Sequence, residues 1–213
     1  MNESRNMAET SYRRIILHNI DRLYMRLPGD LDEKLAARRF GDDFHFDAFG
    51  ERCRIHPDGI SLGGLEEDGP RGVVVSLYAL HAACEPCRHD PPVSFRDLPG
   101  SAPYVGAFKN RTENVLMPFV EDISEARDRL MAGLCGEPAP EGILNTADFS
   151  LRLHPLPKVG LTYLFYMPDE DFPPSVTCLY SKNAHCFMPT DALADVGEYT
   201  SRRILELLGI LIE

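Results

Sequence analysis

The sequence predicts an α+β fold: a single domain in which mainly antiparallel sheets pack against several helices and a long C-terminal helix. Predicted strands come in two blocks instead of alternating one-for-one with helices, which favours antiparallel pairing over a doubly wound parallel sheet. The chain has 213 residues, 44% of them hydrophobic, enough for a core without disulfides. No segment resembles a linker, so residues 1–213 are predicted to form one domain. The alternative is an N-terminal lobe over 7–70 and a main lobe over 71–213.

The first segment predicts two helices. Apolar residues between Thr10 and Leu27 recur at helical spacing, and Pro28-Gly29 ends that helix. Asp30, followed three residues later by a glutamate, resembles a capping box and predicts a second helix over 31–40.

A meander and a third helix are predicted next. Between Phe44 and Leu62, apolar residues nearly alternate with polar ones, and turn residues interrupt this pattern twice. This pattern predicts three antiparallel strands, over 44–49, 52–56 and 59–62. After a glycine-rich loop, the length and alanine-rich end of the apolar run Val73–Ala83 favour a helix over a buried strand.

The second half predicts helices, a second block of strands and the C-terminal helix. Helices are expected over Tyr104–Val120, which Pro118 interrupts near its end, and over Ser124–Leu134. The predicted strands are Asp148–Leu153, Gly160–Met167, Val176–Tyr180 and, as a weaker candidate, His185–Met188. The last helix is predicted to begin at Pro189-Thr190 and to reach about Leu211.

Charge and composition narrow the class of function. The net charge is -11, and no basic patch is evident, which argues against nucleic acid and anionic membrane surfaces as partners. No apolar run approaches the roughly 20 residues of a membrane span. The polar N-terminus lacks a secretory signal, and six irregularly spaced cysteines indicate free thiols, so a cytoplasmic location is predicted.

An acidic turn between two apolar strands is the first candidate ligand-binding site. Asp169 and Glu170 are expected to line its rim, with Phe172 beside them and Lys158 as their countercharge. Together with Asp171 they could act as a general base or a cation site, because crowded carboxylates raise one another's pKa. The favoured alternative is structural: Asp169 or Glu170 accepts backbone N–H bonds while Phe172 packs into the core.

A cysteine-histidine cluster is the candidate metal site. His81, Cys84, Cys87 and His89 place four donors within nine residues, and zinc or an iron–sulfur centre would accept such donors. The pair of cysteines occurs once, whereas a closed zinc site usually uses two such pairs. It also follows a helix instead of preceding one, which disfavours a redox role. A loop with two free thiols is the favoured interpretation.

A second donor set is conceivable around the last strands. Cys178, His185, Cys186 and His154 could converge if the strands that carry them pair. A small core residue is the favoured interpretation of Cys178, because free cysteines are commonly buried.

The chain resembles an uncharacterised prokaryotic family, catalogued as domain of unknown function 3786. The resemblance is carried by Val93–Pro99, Ala147–Phe149, Leu156–Val159, Asp169–Ser175 and Asp191–Ala194. Asp171 stands where the family's acidic turn has glutamate, and Ser181 stands where the next strand has aspartate. The resemblance implies an accessory role near iron–sulfur or corrinoid proteins, although this chain lacks the four-cysteine segment that such partners carry.

Three functions follow from these features. The favoured hypothesis is a non-enzymatic binding or accessory domain with a protein or small-molecule partner, one that would serve a metallo- or corrinoid-protein system, because common catalytic motifs are absent. The second is an enzyme that uses the acidic turn. The third is a metal or redox protein that uses Cys84 and Cys87, with zinc or another metal as cofactor.

Overall fold

The structure, a computed structural model, describes residues 2–138 and 147–210. Its helices are α1 (Asn2–Met25), α2 (Leu31–Leu35), α3 (Pro70–His81), α4 (Val105–Phe108), α5 (Val120–Glu125), α6 (Arg127–Gly133) and α7 (Thr190–Leu208). Its strands are β1 (Arg38–Phe40), β2 (Asp43–Ala48), β3 (Glu51–His56), β4 (Gly59–Leu62), β5 (Leu65–Glu66), β6 (Val93–Ser94), β7 (Phe149–Leu156), β8 (Val159–Tyr166) and β9 (Ser175–Tyr180). All strand pairs are antiparallel, which confirms the predicted α+β class with its C-terminal helix.

The first sheet is a five-stranded meander in the order β1-β2-β3-β4-β5. Its central strands are those predicted from the alternating pattern, with Phe44 and Phe46 turned into the core. A two-residue turn at Phe49-Gly50 joins β2 to β3, and both residues have positive φ. Only glycine fits at Gly50, because a Cβ there would collide with the carbonyl oxygen of Gly133.

The predicted second helix over 31–40 is wrong beyond its first turn. The helix ends at Leu35, and Ala36 adopts the left-handed conformation with φ of 52°. Residues 38–40 instead form the edge strand β1, which pairs with β2. All three are exposed, so no apolar face remains to hold them as a helix against the core.

The second sheet has the order β6-β9-β8-β7. One face is apolar and packs against α7, where Tyr163 Oη lies 3.0 Å from Ser201 Oγ and Tyr180 Oη donates to the Leu193 carbonyl at 2.6 Å. Cys178 is buried on this face, 1% exposed, in agreement with the expected core role. The opposite face carries polar side chains.

The connecting helices are more broken than predicted. The predicted helix over 104–120 divides into α4, a π-helical turn over Lys109–Glu113 and a 3-10 segment over Asn114–Phe119 that contains Pro118. Proline lacks the N–H that an α-helix would need there. The weak candidate strand at 185–188 is wrong, because Ala184–Cys186 form a 3-10 turn.

One continuous hydrophobic core includes buried residues of α1, both sheets and α7.

Within the described ranges, no helix is both long enough and apolar enough to cross a bilayer.

Candidate metal centre

The polar face of the second sheet is built by alternation along β7. Leu151 and Leu153 point into the core, so Arg152 and His154 point to the other face. Two polar side chains therefore project from one face of a largely buried strand whose other face carries leucines.

Residues 82–92, here called the covering loop, lie over this face. Lys158 Nζ donates to the Ala83 carbonyl at 2.7 Å. The side chain of Asn183 accepts from Arg88 N at 2.8 Å and donates to the Pro86 carbonyl at 3.0 Å. The backbone N–H of Lys182 donates to the Arg88 carbonyl at 2.7 Å. These four bonds fix the loop to the ends of the strands beneath it.

His89 of the covering loop packs directly on the backbone of Gly160 in β8. A Cβ at Gly160 would lie 2.8 Å from His89 Nδ1 and 3.7 Å from His154 Cε1. The two imidazole rings meet edge to face, with centroids 4.9 Å apart. Glycine at this position therefore permits the approach of the two histidines.

Glu137 completes a cluster with the two histidines. Its backbone N–H donates to the Arg152 carbonyl at 2.9 Å, which places its side chain beside β7. Glu137 Oε1 lies 3.5 Å from His154 Nε2. One ligand atom from each of His89, Glu137 and His154 lies within 4.8 Å of the others. Two imidazoles and a carboxylate are a donor set that zinc and ferrous iron use in proteins.

Arg152 adds a buried positive charge next to the cluster. It is 4% exposed and forms ion pairs with Asp90 Oδ1 at 2.9 Å and Glu137 Oε1 at 3.6 Å. Its Nε has no hydrogen-bond partner among the described residues. One guanidinium faces two carboxylates, so the cluster carries one excess negative charge when its histidines are neutral.

Burial shifts the pKa of two residues of the covering loop. Burial, reinforced by the neighbouring His154, lowers the pKa of His89 and favours neutral imidazole. Cys87 Sγ lies 3.7 Å from His89 Nδ1, and burial raises the pKa of that thiol. The Cys87 thiol is therefore a direct neighbour of the His89 ring on its Nδ1 side.

The structure brings together two of the four residues proposed from the cysteine-histidine motif. Cys87 and His89 are neighbours, whereas Cys84 is exposed with its Sγ 3.6 Å from Asp30 Oδ2. His81 is exposed in the last turn of α3. The missed partner is Glu137, which lies in an irregular segment with no motif of its own. For the part of the cluster on β7 the sequence does contain a signal, because Arg152 and His154 alternate there with leucines.

The acidic turn is closed by its own aspartate. Asp169 Oδ1 accepts the N–H groups of Asp171 at 2.8 Å and Phe172 at 2.7 Å. The expectation that Phe172 packs into the core is wrong: it is 70% exposed, because the turn closes on itself before the chain enters β9. Glu170 is exposed.

Lys158 cannot serve as the countercharge of the acidic turn. It precedes β8, whereas Asp169 and Glu170 follow it, and the eight residues of β8 span about 26 Å. Lys158 is instead 6% exposed and holds the covering loop. The four proposed ligand-binding residues thus lie at opposite ends of the sheet.

A cleft of about 490 Å³ opens beside the cluster, between the outer face of the first sheet and the end of β7. Its lining includes Arg38, His45, Asp47, Arg52, Cys135 and His154. His154 therefore belongs both to the cluster and to the cleft wall.

A family model described as "Domain of unknown function (DUF3786)" matches residues 28–203, well over half of the chain. No curated protein and no solved structure matches this chain.

Proposed function

Because the chain belongs to the family DUF3786, whose description names no activity, we propose a function from the site itself: the protein binds a divalent transition metal ion of the zinc class through His89, Glu137 and His154. The observation that supports this is the convergence of their three ligand atoms to within 4.8 Å.

The distances are close to those of a formed site. Metal–ligand bonds of 2.0–2.2 Å in a tetrahedron separate two ligand atoms by about 3.4 Å. His154 Nε2 and Glu137 Oε1 are already 3.5 Å apart. The ligand atom of His89, on the covering loop, lies within 4.8 Å of both.

Charge and surroundings also favour a cation. The carboxylates of Asp90 and Glu137 outnumber the single guanidinium of Arg152, so a dication enters a site with one excess negative charge. Cys87 beside His89 Nδ1 is the kind of supporting contact that orients a ligating imidazole. Neutral histidine, which burial favours at His89, is the form that binds metal.

The test is cobalt and zinc binding by the purified chain, measured by calorimetry and by the visible absorption of bound cobalt. We expect one ion per chain, and a loss of affinity of roughly 100-fold or more for His154→Ala, His89→Ala and Glu137→Gln, because each removes one ligand from a site of three. The matched control is His185→Ala, since His185 is an exposed histidine whose Nε2 also lies 3.7 Å from a cysteine sulfur.

Two further variants separate this site from the motif-based one. Cys84→Ser and His81→Ala should bind cobalt as the natural sequence does, because neither side chain reaches the cluster. Loss of binding in these two with retention in His154→Ala would replace our proposal with the set His81, Cys84, Cys87 and His89. Absence of stoichiometric binding by a folded chain would end both.

A further inference from the structure

We infer that the cleft beside His154 binds a small organic anion, whose carboxylate or phosphate group occupies the coordination position that the three protein ligands leave open. This inference rests on the proposed metal site and specifies the class of molecule that the site would take.

The open position follows from the number of donors. Zinc sites with four protein ligands are closed and structural, whereas three protein ligands leave a position for water or substrate. Among the described residues, no fourth His, Cys, Asp or Glu joins the cluster. Cys87 Sγ lies 3.7 Å from His89 Nδ1 but is not one of the ligand atoms that converge in the cluster.

The cleft meets the cluster at His154, one of the three proposed ligands, which lines it directly. The side chain of His154 is 18% exposed. A volume of about 490 Å³ falls within the range of about 300–1,000 Å³ that is typical of small-molecule sites.

The charges around the cleft select an anion. With a dication bound, the metal and Arg152, which lie next to the cleft at His154, exceed Asp90 and Glu137 by one positive charge. On the opposite wall, Arg52 reaches Asp47 only at 4.0 Å.

Arg38 adds a second positive charge to that wall. It forms no ion pair with any described residue, although it lines the cleft. The whole chain carries a net charge of -11, so its surface in general repels anions. The local excess of guanidinium groups therefore makes this cleft more favourable for an anion than the rest of the surface. Guanidinium groups also bind carboxylate and phosphate in a bidentate manner.

The experiment titrates the cobalt-loaded chain with sodium acetate and, separately, with inorganic phosphate at constant ionic strength. We expect a saturable change in the visible absorption of cobalt with at least one anion, and whichever binds more tightly identifies the group. The double variant Arg38→Gln/Arg52→Gln should weaken that binding at least 10-fold. Its matched control is Arg14→Gln/Arg22→Gln, which removes the same charge from exposed positions on α1.

The outcomes separate the two proposals. If cobalt binds one-to-one and neither anion changes its spectrum, the cleft inference fails and the metal site stands. If the anion binds equally well to both double variants, it is not held in the cleft, and the inference again fails. If cobalt does not bind at all, the metal proposal fails and the anion site fails with it.

Discussion

Replacing Gly160 with alanine tests the geometry of the proposed centre without removing a ligand. The added Cβ would lie 2.8 Å from His89 Nδ1 and 3.1 Å from His89 Cε1, whereas unstrained contacts begin near 3.4 Å. The covering loop is fixed by four hydrogen bonds. The imidazole must therefore swing away by about 0.6 Å, which exceeds the tolerance of about 0.2 Å in metal–ligand distances.

The expected result is a loss of cobalt affinity of about 10- to 100-fold, comparable to the loss of a supporting contact around a metal, with little change in stability. The φ of Gly160 lies outside the left-handed region, so alanine fits the backbone. Alanine reduces the conformational entropy of the unfolded chain, which raises the free energy of unfolding by about 0.4–1 kcal/mol. This gain offsets most of the cost of displacing the His89 ring.

Calorimetric titration with cobalt and urea denaturation in the presence of a chelator measure the two effects separately. The matched control is Gly106→Ala, because nothing lies within 4 Å of a Cβ at that position in α4. It should gain about 0.5–1 kcal/mol and keep its affinity. Affinity within twofold of the natural chain for Gly160→Ala would show that His89 does not ligate in this arrangement.

Three further predictions concern stability. Lys158→Met should cost about 1–3 kcal/mol in urea denaturation, because it leaves a carbonyl of the covering loop unpaired, whereas Lys182→Met, at an exposed side chain, should be neutral; equal effects would refute the role of Lys158 as an anchor. Asp169→Ala should cost about 1 kcal/mol through its two lost backbone bonds and Glu170→Ala less than about 0.5 kcal/mol, so the reverse order would reject the structural role. Burial and neighbouring carboxylates raise the pKa of Asp195 to about 6, so its stabilising contribution is present below pH 4 and is lost as pH rises through 6. Asp195→Asn should therefore gain about 1 kcal/mol or less at pH 8, an amount limited by solvent screening, and nothing at pH 4; a gain independent of pH would contradict it.

Much of the fold could be predicted because the spacing of apolar residues within a short stretch of sequence indicates a strand or a helix. Alternating apolar residues identified the strands of the meander, and the helical stripe after Thr190 identified α7. The edge strand β1 could not be predicted in this way. Its three residues are all exposed, so its conformation depends on pairing with β2 and not on any face of its own.

The candidate site was less predictable because its residues converge only through tertiary structure. The sequence predicts Lys158 and the covering loop as parts of two different sites, yet Lys158 Nζ donates to the Ala83 carbonyl of that loop. Glu137 reaches the cluster through an isolated bridge to Arg152, which no periodicity signals. His89, Glu137 and His154 lie far apart in the sequence, so no short sequence window contains more than one of them.

The spread of the three donors along the chain makes metal binding conditional on folding. His89, Glu137 and His154 come from a loop, a bridge and a strand that are adjacent only in the native state, so the unfolded chain cannot hold the ion with all three. At a free metal concentration 100 times the dissociation constant, binding of this kind stabilises the fold by about 2.7 kcal/mol. His81, Cys84, Cys87 and His89 lie within nine residues, so they would chelate the ion in the unfolded chain as well, and such binding reduces the stabilisation. The dependence of stability on metal therefore distinguishes a centre assembled from three distant segments from one contained in a single short segment of the chain.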